Sequence, residues 1–96
     1  MFGWSMATIL LPALLRPYAG GAASLETAGG TVGEAFAELF AVHPGLRARM
    51  LDPAGRFHRH LLVFLGDRRL PRGDWEALPL APGDTLRLLT AVGGGA

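Results

Sequence analysis

The stretch "TVGEAFAELFAVHPG", Thr31 to Gly45, constrains the fold more than any other part of the chain. Val32, Phe36, Leu39 and Phe40 recur at spacings of three to four residues, which gathers them on one side of a helix. Thr31 stands where an N-cap hydroxyl is needed, and Glu34 three residues later completes a capping box. Pro44 and Gly45 are stop signals. The flanking segments read mainly as strands. One amphipathic helix among strands must bury its apolar stripe on a single face of a sheet.

The strands follow from composition and punctuation. "ATILLPALLRP", from Ala7, is rich in branched apolar residues and predicts a strand ending near Arg16, with Pro12 confining part of it to an edge or bulge. Gly20 and Gly21 then supply a turn into a short second strand around Ala23 to Glu26, an opening hairpin. Beyond the helix, "LRARMLD" adds a short further turn of helix before Pro53 and Gly55. His60 to Leu65 is a buried strand, Gly66 and Asp67 turn it into a short partner near Leu70, and Pro82 and Gly83 lead into a last strand, Thr85 to Thr90. The order β, β, α, β, short β, β predicts an α+β fold of the β-grasp, ubiquitin-like kind. Its mixed sheet would have four to five strands packed on one main helix. Residues 1–6, ending at a second methionine, are expected to be a disordered leader, 7–92 the β-grasp domain, and 93–96 a flexible glycine tail.

Ninety-six residues make one domain with a thin core. The longest apolar run, Met6 to Leu15, is interrupted by Thr8 and Pro12 and falls short of the roughly 18–20 residues of a membrane span. No positively charged region precedes it, so a cytoplasmic location without membrane association is expected. The absence of cysteine excludes a disulfide scaffold, a thiolate metal site and a cysteine nucleophile. A net charge of +1 argues against nucleic-acid binding. Every basic residue is Arg, so the chain offers no ε-amine of its own for acylation.

Four features invite a chemical reading. His58 and His60 would share one face of a strand, with His43 across a loop, but no third ligand stands at a definable spacing and no metal is expected. Arg72 to Asp74 spell the adhesion tripeptide "RGD", which recurs by chance. "AGG", Ala28 to Gly30, resembles a fragment of a phosphate loop but lacks the lysine of a P-loop and the third glycine of a dinucleotide fingerprint. Glu34 and Glu38, four apart on the helix, read as a solvated ridge. No catalytic centre of the chain's own is expected.

The remaining feature is the end, "TAVGGGA", Thr90 to Ala96. Glycine has no Cβ, so a glycine run can thread a narrow channel and bring a terminal carboxylate close to ATP. Activation of that carboxylate to an acyl-adenylate makes AMP a leaving group, and a sulfur nucleophile would then give a thiocarboxylate, an amine an amide. A frayed terminus would look the same on these residues alone.

Set beside "LPALLRPYAGG", "GGTVGEAFAEL", "HPGLRARMLDPAGRFHR" and "PGDTLRLLTAVGGG", in that order, the chain resembles the ubiquitin-like sulfur carriers, the ThiS/MoaD family. The "RMLDP…HR" segment favours the CysO-type carriers of cysteine biosynthesis. The resemblance implies a terminal Gly94-Gly95 pair led by Gly93, with the Gly95 carboxylate adenylated and thiocarboxylated. The chain would bind no cofactor itself; ATP would be used by an adenylating and sulfurtransferase activating enzyme. The sulfide would pass to an acceptor such as a PLP-dependent cysteine synthase, and a metal-dependent peptidase would release the product. Molybdopterin, thiamine and secondary-metabolite synthesis are alternative destinations, and a protein modifier or a plain interaction domain are alternative roles.

Thr90 and Gly93 stand where relatives often have proline and alanine, and Ala96 lies beyond the diglycine. One extra residue displaces the carboxylate by up to about 3.5 Å, so either a peptidase removes Ala96 or the residue is a harmless addition. Strand alternation sends Leu86 and Leu88 to one face and Leu89 with Arg87 to the other. Leu89 and Phe64 are the residues expected to face a partner.

Overall fold

The computed structural model describes residues 6–71 and 74–90. The strands are β1 (Ala7–Leu10), β2 (Ser24–Thr27), β3 (Leu61–Leu65), β4 (Arg68–Arg69) and β5 (Thr85–Thr90), and the helices are α1 (Val32–Val42) and α2 (Pro44–Met50). They form a five-stranded sheet in the order β2-β1-β5-β3-β4. β5 lies at its centre, parallel to β1 and antiparallel to β3. The sheet is mixed, as the order of elements predicts.

Burial follows alternation along each strand. Leu86 and Leu88 of β5 are 0% and 1% exposed, and their register partners Ile9, Leu65 and Val63 share that inner face. Against it α1 lays Val32, Ala35, Phe36 and Leu39, and α2 adds Leu46 and Met50. Each large aliphatic side chain withdrawn from water contributes about 1.5–3 kcal/mol, so this shared interior is the main favourable term.

The strand from Ala7 stops earlier than expected. β1 ends at Leu10, and the chain then turns through Pro12 into a 3₁₀ segment, Arg16–Ala19. Pro12 has no N–H to extend the ladder, and its carbonyl instead accepts from Leu15 N at 3.0 Å. Gly20, at φ +68°, closes the segment in the left-handed region that glycine enters without steric cost. The hairpin partner itself is present, with Ile9 opposite Leu25.

A second difference lies at Pro44. It ends α1 as expected but also opens α2, because the first turn of a helix needs no N–H from that position. The loop from α2 to β3 is anchored by Phe57, whose ring meets Phe36 edge-on at 5.1 Å. Asp52 shapes this loop, its carboxylate accepting from Ala54 N at 2.9 Å and Arg56 N at 3.0 Å. These bonds, the one from Arg56 foremost, hold the Asp52 carboxyl below the usual carboxylate range.

Met6, at the end of the expected leader, accepts from Gly83 N at 3.0 Å. The rest of that segment, Arg72 and Gly73 of the tripeptide, and the tail from residue 91 onward lie outside the described residues.

Candidate functional site

β5 decides where the end of the chain emerges. It is the central strand, paired with β1 from Thr85 to Arg87 and with β3 from Leu86 to Thr90, and Thr90 stands opposite Leu61 at the start of β3. Residues 91–96 continue from that point, and six extended residues reach about 20 Å. Gly93, Gly94, Gly95 and Ala96 themselves lie outside the described residues.

The outer face of the sheet, away from the helices, leads up to the same end. Leu10 and Phe64 stand on either side of Arg87, and Leu62 stands opposite Leu89. Leu89 is 39% exposed, one of few large apolar side chains so open to water among the described residues. The Arg87 guanidinium lies 5.7 Å from the centre of the Phe64 ring, within reach of a cation–π contact, and leaves that ring half-buried. The structure therefore puts Phe64 and Leu89 on one face, together with Leu10 and Leu62, which the sequence reading did not single out. Period-two counting from Leu89 and Phe64 would have found Leu62, and the parallel register to β1 was the missing piece for Leu10.

A second surface at the same end was not foreseen at all. Beside Thr90 a groove is lined by Leu14 and Leu15 after β1, Arg49 of α2, and His58, His60 and Leu61 before and in β3. Arg49 stacks on Tyr18, with its guanidinium 4.5 Å from the ring centre. The expectation that one strand runs unbroken to Arg16 hid this groove, because Leu14 and Leu15 would then have been ladder residues.

The other candidates change character. Glu34 and Glu38 are exposed on one ridge of α1, as expected, and each is also engaged by hydrogen bonds. Glu34 accepts from Gly30 N at 2.8 Å, while Glu38 accepts from Thr27 Oγ1 at 2.5 Å and from Ala28 N at 3.1 Å. The helix thus clamps the loop that precedes it. Thr31 caps α1 by accepting from Glu34 N at 3.1 Å, but the return bond of the capping box goes to Gly30 instead of Thr31. The amides that a phosphate would need are thereby engaged, with Gly29 N donating to Thr27 Oγ1 at 3.0 Å. A Cβ on Gly29 would lie 2.7 Å from Ala35 N, so glycine serves close loop–helix packing there.

The histidines do not converge. His58 and His60 precede β3 and do not sit within it, and His43 joins α1 to α2. Among the described residues, no group of three or more His, Cys, Asp or Glu could hold a metal ion. Among them also, no helix is long and apolar enough to cross a membrane.

A mixed sheet with a central parallel β1–β5 pair, folded over one long helix, is the β-grasp fold of ubiquitin-like proteins. The ThiS family model matches residues 9–95, and the chain belongs to that family. Within it the chain is CysO-like. Sulfur carrier protein CysO of Mycobacterium tuberculosis is 33% identical over 90 residues, which are 92% of this chain and 97% of the relative. The solved Amycolatopsis orientalis BexX/CysO complex includes a chain of TM-score 0.80 at 32% identity, covering 93% of this chain and 99% of that one. Small archaeal modifier protein 1 of Haloferax volcanii has a TM-score of 0.78 at 26% identity, covering 93% of this chain and 100% of that one.

Proposed function

We propose that this chain is a sulfur carrier that works as a protein cosubstrate, with its reactive group at the main-chain end, Gly95. The observation that carries the reading is the position of the diglycine: the family match runs through residue 95, so that it ends on Gly94-Gly95, a few residues beyond the central strand of the sheet. A tail that follows a strand paired with β3 up to Thr90 starts from a fixed base, which lowers the entropy lost when a partner threads it.

The chemistry proceeds in two steps. An activating enzyme joins the Gly95 carboxylate to the α-phosphate of ATP, releasing pyrophosphate. A sulfur donor then attacks the acyl carbon and expels AMP, leaving a thiocarboxylate. Neither step needs a catalytic group from the carrier, and the chain itself uses no cofactor. Phe64 and Leu89, with Arg87 between them, form the face that meets the activating enzyme, a small interface suited to transient binding.

The acceptor is an enzyme of cysteine formation, such as a PLP-dependent synthase, by likeness to CysO. A metal-dependent peptidase then releases the product, and the work takes place in the cytoplasm. The Amycolatopsis complex, in which a CysO chain is joined with BexX, is the observation that keeps a second acceptor class in view.

Ala96 follows the family match by one residue. The added residue places a methyl group and a displaced carboxylate where the activating enzyme expects glycine, so Ala96 is removed before activation. Side-by-side activation of the full chain and a chain ending at Gly95 tests this. Product from the shorter chain alone supports removal, and equal product from both refutes it.

A further inference from the structure

The groove beside Thr90 belongs neither to the tail nor to the outer sheet face. Its floor is apolar: Leu15 and Leu61 are 5% and 7% exposed. Leu14 stands over it 61% exposed, more open than Leu89 on the outer face. The space is about 400 Å³, enough for one aliphatic side chain and the backbone around it. At the rim Arg49 supplies the positive charge, with the imidazoles of His58 and His60 beside it; no carboxylate is among the lining residues, and Asp52 lies outside the groove, near His58. The Arg49 guanidinium lies over the Tyr18 ring, 4.5 Å from its centre, which restrains it and lowers the entropy a partner loses in forming an ion pair there.

We propose that the groove is a docking seat for an acidic segment of the activating enzyme, in which one aliphatic side chain enters between Leu14, Leu15 and Leu61 while a neighbouring carboxylate pairs with Arg49. The inference rests on the carrier reading, which requires an enzyme to hold the chain by its tail. A second contact beside Thr90 makes insertion of the tail effectively intramolecular, and a guanidinium–carboxylate pair sets its orientation. An apolar anchor in a pocket with a charged rim is the usual centre of a small interface.

The probe is a blocked pentapeptide, Asp-Glu-Leu-Asp-Glu, titrated into the isotope-labelled full chain and followed by amide chemical shifts. A counterpart with Asn and Gln in place of the acids serves as control. Saturable shifts are expected at Leu15, His60, Leu61 and Thr90, several-fold weaker for the control and weakened by salt. Arg49→Gln and Leu14→Ser, both at exposed positions, should each lower affinity about fivefold or more with the rest of the spectrum unchanged. Equal binding of both peptides, shifts centred on Phe64 and Leu89, or no saturable shift at millimolar peptide each overturns the proposal. So does movement of the Gly93 to Ala96 signals on Arg49→Gln without peptide, which would make the chain's own terminus the occupant. The measurement involves no activation chemistry, so its failure leaves the thiocarboxylate reading standing, and the converse holds.

Discussion

Thr27 Oγ1 donates to Glu38 Oε1 at 2.5 Å, tying the end of β2 to the middle of α1. Among the described residues Thr27 is the one buried polar side chain of the core, 1% exposed, and its hydroxyl also accepts from Gly29 N at 3.0 Å. One side chain thus fixes both the sheet edge and the loop that delivers the helix cap. Replacing Thr27 with Val keeps the shape but leaves the Gly29 N–H without this acceptor. The expected loss is about 1–3 kcal/mol in a urea unfolding experiment. A variant as stable as the parent would show that the clamp contributes nothing net.

Asp52 gives a pH dependence of definite sign. Its carboxyl is held below the ordinary value of about 3.9 by the backbone bond from Arg56 first, and also by that from Ala54. A depressed folded pKa means that its contribution is fully present above that ordinary value and is lost as pH falls through the lower folded one. Amide protection at Ala54 and Arg56, taken relative to the intrinsic exchange rate at each pH, should therefore hold down to about pH 4 and fall below it, and Asp52→Asn should abolish the transition. An Asp52 side-chain titration at or above the ordinary value would contradict this.

Neighbouring positions on β5 separate stability from recognition. Leu88 is buried, so Leu88→Ala should cost about 2–5 kcal/mol in unfolding. Leu89 faces outward beside Leu62, so Leu89→Asp should leave the unfolding midpoint nearly unchanged and instead weaken the complex with the activating enzyme by roughly tenfold or more. Calorimetric titration of each variant with that enzyme checks the division. Equal affinity for Leu89→Asp would remove the outer face from the interface.

What could be read from the residues varies with how local the cause is. α1 was legible because cap and periodicity both lie within Thr31 to Val42, and β5 because its alternation separates buried Leu86 and Leu88 from exposed Leu89. The end of β1 was not, because a run of Leu and Ala fits strand or turn equally and only Pro12 marks the break. Glu34 and Glu38 are exposed as expected, but their hydrogen bonds were not legible, because the partners Gly30, Thr27 and Ala28 are brought to them by the return of the chain from β2. The groove depends on segments more than forty residues apart, Leu14 and Leu61 among them, and no local pattern announces it. The role of the tail came from resemblance over the whole chain, since a glycine run by itself fits a frayed end as well.

The central claim is that the Gly95 carboxylate carries sulfur, and intact-mass measurement tests it most directly. A chain ending at Gly95 is incubated with ATP, a sulfur donor and a ThiS-family activating enzyme already shown to be active on its own carrier. The account predicts a mass gain equal to exchange of one oxygen for sulfur, placed on the C-terminal glycine by fragmentation and absent without ATP. An unchanged mass with an enzyme that activates the CysO-type carriers it resembles, under conditions where those carriers are converted, would contradict it.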